Sequence, residues 1–369
     1  MELLNASGMQ AGFTMGMRPD GRELLVVAIK GTFRIPPPRQ TVTLAEAQKP
    51  LIEADTFSGE SGHSAPVYET DYAPIKPRCD VLLNGSAYAP GGEPISRVEV
   101  TLRISSLYKS FTVTGDRVWE AGNLAISPGY PGVFAQMPIS YDCAFGGFDN
   151  LHENDRKHTA LMSNPVGRGF HQQLARELVD GSPMPNTEEL KRPVTMPNGN
   201  YAPMSFGPVG RGWMPRQQYA GTYDDEWQEN GFPFLPGDFN EAYYQAAPED
   251  QQIPYLQGGE RVFLENLTPE GQTSFDLPQI EMPVVFFYKN GQQSRQQAVI
   301  DTLVLEPDEG VFTLTWRAMV PLRKNIFELS QVLVGRKTRA WWRARELGKV
   351  YYPSLAHLTR TPATESEEG

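Results

Sequence analysis

Asp149, His152, Glu153, Asp155 and His158 are residue types that hold divalent metals, and they fall within one short stretch. Two imidazoles stack on one helix face when they are four residues apart, but His152 and His158 are six apart. A solvated polar loop is therefore expected, with a catalytic divalent site as the alternative. Asp224-Asp225-Glu226, flanked by Tyr223 and Trp227, has the carboxylates of a glycoside hydrolase and a ring able to stack on sugar. Carboxylates adjacent in sequence need not face each other across a substrate. The expectation is a capped turn with Trp227 packed into the core.

Gly59-Glu60-Ser61-Gly62-His63 comes near the nucleophile elbow Gly-x-Ser-x-Gly but lacks the second glycine two places after the serine, so it reads as a turn. Gly207-Pro208-Val209-Gly210-Arg211-Gly212 has the wrong glycine order for a dinucleotide loop, and no Walker-type Gly-Lys-Ser/Thr is present. The sequence thus offers no catalytic, cofactor or metal residue with a specific motif behind it.

Two other features suit recognition. Pro165-Val166-Gly167-Arg168-Gly169-Phe170 is echoed by Pro208-Val209-Gly210-Arg211-Gly212-Trp213. Each copy reads as a turn that fixes an arginine between glycines; a matched pair of anion-binding turns is the alternative. Near the end of the chain Arg336, Lys337, Arg339, Arg343, Arg345 and Lys349 surround Trp341 and Trp342. A helix there would align Lys337, Trp341 and Arg345 one turn apart, as a surface helix packed by its tryptophans or as a docking helix for an acidic partner.

These residues need a scaffold, and the composition indicates a β one. Thirty-four glycines and 32 prolines beside 18 Phe, 15 Tyr and 6 Trp suggest short strands and many turns. The expected fold is mainly β, with antiparallel sheets in a β-sandwich-like arrangement, a long loop-rich middle region and one or two short helices. Four regions are expected: an N-terminal β-sheet region at 1–148, an aromatic, Gly- and Pro-rich region at 149–260 packed on the sheets, C-terminal hairpins and a helix at 261–360, and an acidic tail at 361–369. Leu24 to Ile35 is the strongest strand, ended by Pro36-Pro37-Pro38. Asp80–Ala87, Ile95–Ile104 and Ser110–Thr114 read as an antiparallel meander. Strands are expected at 136–143, 261–267, 283–288, 296–305 and 311–318, with Asn290-Gly291 as a hairpin turn. Helices are expected at Gln172–Leu178 and across Gln331–Leu347.

A net charge of −11 argues against general affinity for nucleic acid or anionic membrane. Cys79 and Cys143 are too few for a four-thiolate zinc site and fit a reducing compartment. No leader-like N-terminus or apolar run near the roughly 20 residues of a membrane span is visible, so a cytoplasmic protein is expected.

A series of short motifs in a fixed order also carries a resemblance. It runs through Lys30-Gly31-Thr32-Phe33, Phe145-Gly146-Gly147, Asn164 to Gly169, Phe206-Gly207-Pro208, Gly221-Thr222-Tyr223-Asp224 with Trp227, and Leu235-Pro236 with Asp238-Phe239. Ala247-Pro248 with Asp250-Gln251-Gln252, Gly258-Gly259-Glu260 and Asn266 to Gly271 complete it. In this order the chain resembles the bacterial family domain of unknown function 2169, which is associated with type VI secretion. The resemblance implies an adaptor or chaperone that holds a toxic effector and helps load it onto the valine-glycine repeat spike or its tip, and it carries over no catalytic residue. Arg168, Arg211, Tyr223, Asp224, Trp227 and Trp341 are the expected partner contacts. The competing reading is a β-sandwich hydrolase or carbohydrate-binding protein, possibly metal-dependent.

Overall fold

The longest strand, Glu23–Arg34, is buried at every position from Leu24 to Phe33. Its alternation sends Leu25, Val27, Ile29 and Phe33 into the main core and turns Lys30 and Thr32 to the opposite face. In this computed structural model, which describes residues 1–122 and 125–354, that strand lies between Gln10–Met17 and Val311–Pro321, antiparallel to both. Val299–Glu306, Cys79–Leu83 and Gln252–Ile253 extend the sheet, and Thr43–Leu44 makes it seven-stranded.

A five-stranded sheet orders Thr187–Glu188, Leu107–Thr114, Arg97–Ile104, Arg261–Glu265 and Gln272–Asp276. A four-stranded sheet orders Glu2–Asn5, Leu329–Val334, Pro283–Tyr288 and Gln293–Gln297. All three give side chains to one apolar cluster, which includes Ile29, Val100, Leu264, Phe286, Leu314 and Val332. The fold is thus mainly β, sandwich-like, with few short helices. Strands from 1–148 pair directly with strands from 261–360 in all three sheets, so the two regions share a core.

The large sheet's other face is polar yet buried. Register places Lys30, Thr315, Thr302 and Asp80 in one row across four strands. A strap of chain crosses that row with its own charges. Asp71 accepts from Lys30 Nζ at 2.9 Å and from Thr315 Oγ1 at 3.1 Å. Lys76 Nζ donates to Thr302 Oγ1 at 3.1 Å and to Asp80 Oδ2 at 2.7 Å. Charges this deep need partners, and the row supplies them in alternating sign. Asp80 also accepts from Gln245 Nε2 and from the Ala246 amide, so the same carboxylate anchors the loop-rich middle.

Several expectations need correction. The run from Cys79 to Thr114 is not one meander. Cys79–Leu83 is buried at all five positions and pairs parallel with Val299–Glu306, as strands in the middle of a sheet do. Only Arg97–Ile104 and Leu107–Thr114 form a hairpin, turning at Ser105 with φ 51°. The strand at 136–143 stops at Ile139, before a 3-10 turn over Tyr141–Cys143. The helix of 172–178 shrinks to Arg176–Val179, and Leu174 and Leu178 are exposed. Gln331–Leu347 divides in two: the β-branched stretch joins the strand Leu329–Val334, Gly335 breaks it at φ 83°, and Thr338 caps a helix over Arg339–Glu346. The expected tail at 361–369 lies outside the described residues.

Candidate partner-binding surface

The two repeat turns meet through their valines and diverge at their arginines. Val166 and Val209 pack in one small cluster with Ala65, Tyr141, Ala144 and Trp213. Arg168 is held by Asn186, whose amide donates to Thr114 O and Asp116 Oδ1 at 3.0 Å each. Arg211 turns instead to carboxylates: its Nε reaches Asp55 Oδ2 at 2.7 Å and its Nη2 reaches Glu69 Oε1 at 2.8 Å. Arg211 is neutralised by carboxylates of the chain itself, whereas Arg168 has one amide partner and a buried Nε with none among the described residues, so the two turns are not a matched pair of anion sites.

A cleft of about 400 Å³ opens beside Arg211, between Asp55, Phe57, Pro66 and Glu69 on one side and Pro208 to Trp213 on the other. Arg216 forms its floor, bonded to Glu69 Oε1 at 2.6 Å and to the carbonyls of Val209 and Tyr243. Burial alone would raise the Asp55 carboxyl, but its bonds to Arg211 and to the Thr70 amide outweigh burial and hold it below the usual aspartate range. Burial likewise opposes charge on Arg211, and Asp55 and Glu69 more than compensate.

Beyond the cleft, the chain from Met214 to Tyr244 builds an aromatic lobe. Asp224 caps the helix Asp225–Asn230, its Oδ1 accepting the Trp227 amide at 2.9 Å. Trp227 donates its indole N–H to Phe234 O at 2.9 Å and stands edge-on to Tyr223 and Phe232, at 4.7 and 6.0 Å between ring centroids. Trp227 is therefore half-buried within its own lobe rather than packed into the core, because its only ring neighbours are local. Thr222 ties the loop by donating twice to Asp238, which holds that exposed carboxyl below its usual range. Phe234 rests on Gly21, the φ 80° turn residue ahead of the Glu23–Arg34 strand, where a Cβ would come within 2.8 Å of its ring. Tyr223, Phe232 and Phe234 remain 54%, 69% and 50% exposed.

Of the expected contact residues, Arg211 lines the cleft, and Tyr223, Asp224 and Trp227 belong to the aromatic lobe. Arg168 belongs to the Asn186 network. Trp341 lies with Trp342 over Val285, Phe287 and Leu333, on the outer face of the four-stranded sheet.

Among the described residues no group of three or more His, Cys, Asp or Glu is placed to hold a metal. His152 Nδ1 accepts from the Asn154 amide and its Nε2 meets Lys157 Nζ, both at 3.0 Å. Asp224 is spent as a cap, and Asp225 and Glu226 are exposed in the helix's first turn. Sequence reading grouped Asp149 with His152 and His158 and missed its neighbours His171 and Ser182: His171 Nε2 is 3.0 Å from Ser182 Oγ, and its Nδ1 is 3.7 Å from Asp149 Oδ1. The order resembles a hydrolase triad, but Ser182 Oγ is also 2.5 Å from Val179 O. A contact that short requires the hydroxyl to donate to the carbonyl, so His171 must donate to the serine instead of accepting from it. Burial keeps His171 below its usual pKa despite Asp149.

A family model described as "Uncharacterized protein conserved in bacteria (DUF2169)" matches residues 20–317. No curated protein matches, and no solved structure matches.

Proposed function

The chain belongs to this bacterial family, DUF2169, and from that premise we propose that it is a non-catalytic adaptor: it binds a toxic effector and helps load it onto the valine-glycine repeat spike of a type VI secretion system. The observation that carries the reading is the aromatic lobe beside the Arg211 cleft. Interfaces draw their energy from a few aromatic and arginine anchors held in place beforehand, and here three exposed rings flank a capped helix, near a guanidinium fixed by two carboxylates. No described helix is long and apolar enough to cross a membrane. An adaptor of this kind works in the cytoplasm, before secretion, with the effector and the spike or its tip as partners and no need of nucleic acid, membrane or cofactor. The reading is tested by capturing the tagged chain from its host and identifying what stays bound.

The second reading, a hydrolase, is favoured by one observation, the Asp149–His171–Ser182 chain. A fluorophosphonate probe decides it: labelling at Ser182 that disappears in S182A would establish a nucleophile, and an unlabelled serine leaves the chain structural.

A further inference from the structure

A basic pocket of about 410 Å³ lies where the helix Arg339–Glu346 meets the four-stranded sheet, with Val285 and Trp342 as its apolar wall and Arg295, Arg336 and Lys337 around its mouth. Arg295 lies 4.8 Å from the Trp342 ring centroid, within cation–π range. Arg336 reaches Glu281 at the exposed rim, whereas Lys337 has no carboxylate partner among the described residues. From Arg336 to Lys349 the chain carries six basic residues and one acidic, in a protein of net charge −11.

The chain itself leads to this pocket. After the helix it turns back, and Tyr351 Oη comes within 3.2 Å of Thr338 Oγ1, one residue from Lys337. The described residues end three positions later at Ser354, and Glu365, Glu367 and Glu368 follow. The eleven residues from Ser354 to Glu365 span at most about 36 Å, far more than the return to Lys337 requires. Attachment to the same chain also raises the local concentration of those carboxylates to roughly millimolar.

We propose that this pocket is a binding site for acidic peptide, and that its occupant in the isolated chain is the chain's own Glu365–Glu368 segment. The carboxylates pair with Lys337, Arg336 and Arg295. The site is independent of the aromatic lobe, and its test is independent of what the lobe binds.

Zero-length carbodiimide crosslinking of the full chain, read by peptide mass spectrometry, tests it directly. Activated glutamates joined to Lys337 should appear within single chains, at low salt and not at high salt, and should vanish in E365Q/E367Q/E368Q. A fluorescent peptide of residues 359–369 supplies the second measurement, because it meets a vacated pocket only in that variant. It should bind the variant about tenfold or more tightly than the unmodified chain, and K337E introduced into the variant should abolish the gain. No Lys337 crosslink while Lys337 still acylates freely, or equal peptide affinity for the two chains, would overturn the proposal.

Discussion

Lys76 Nζ lies 2.7 Å from Asp80 Oδ2, with both side chains buried, and this pair fastens the strap over the polar face of the large sheet. Asp80 is also where the middle region attaches, through Gln245 and Ala246. Asp80→Ala should therefore cost about 3–5 kcal/mol, the usual penalty for leaving one buried charge unpaired. Urea unfolding measures the loss, and hydrogen exchange should quicken at 245–251 before it does in the strand Glu23–Arg34. A loss below 1 kcal/mol, with unchanged exchange, would show that the row is ornamental.

The Asp55–Arg211 pair gives the cleft a pH dependence. Asp55 is held below its unfolded value of 3.8, so its contribution is complete above that pH and is lost as pH falls through the lower folded value. In Asp55→Asn that acid-side loss should be absent, so the melting curves of wild type and variant should converge below about pH 4. Curves that stay parallel down to strong acid would exclude the pair as the cause.

His171 makes the complementary case. Its folded pKa is depressed, so folding keeps it neutral, and stability should decline as pH falls from 6.5 toward the lower folded value. His171→Gln should remove that component of the decline. The same network predicts no fluorophosphonate labelling of Ser182, because its hydroxyl is engaged by Val179 O.

Trp227 holds its lobe together by one indole hydrogen bond and two edge-on ring contacts, none of which reaches the main core. Trp227→Ala should leave the global melting temperature within a few degrees. Cleavage between residues 222 and 238 by a broad protease should become faster. A large fall in melting temperature would mean that the lobe is part of the folding unit.

What could be read from residue order depended on how local the determining interaction was. Leu24 to Ile29 announces a buried strand, and Asn290-Gly291 announces a hairpin, because both signals are complete within a few residues. Cys79–Leu83 carries an apolar run that suits a parallel or an antiparallel neighbour equally, so its pairing with Val299–Glu306 was not legible. Trp227 looked like a core residue because size and hydrophobicity say nothing about which neighbours close over it. Asp149, His171 and Ser182 lie too far apart to form a motif, and Asp71 and Lys76 gain their meaning only from strands that reach them from elsewhere in the chain. Asp224 is the exception among the site residues: it was read as part of a capped turn, and it caps a helix.

The adaptor reading stands or falls on whether the exposed rings hold a partner. The direct measurement is affinity capture from the host with the tagged wild-type chain and with Y223A/F232A/F234A, each checked for an unchanged melting curve. Surface positions of this kind tolerate substitution, whereas anchor rings in an interface cost more than about 1 kcal/mol each when truncated. The predicted result is one toxin-like polypeptide, with or without the spike protein, retained by the wild type and lost by the triple variant. Recovery of the wild-type chain alone, or the same bound polypeptide on both chains, would contradict it.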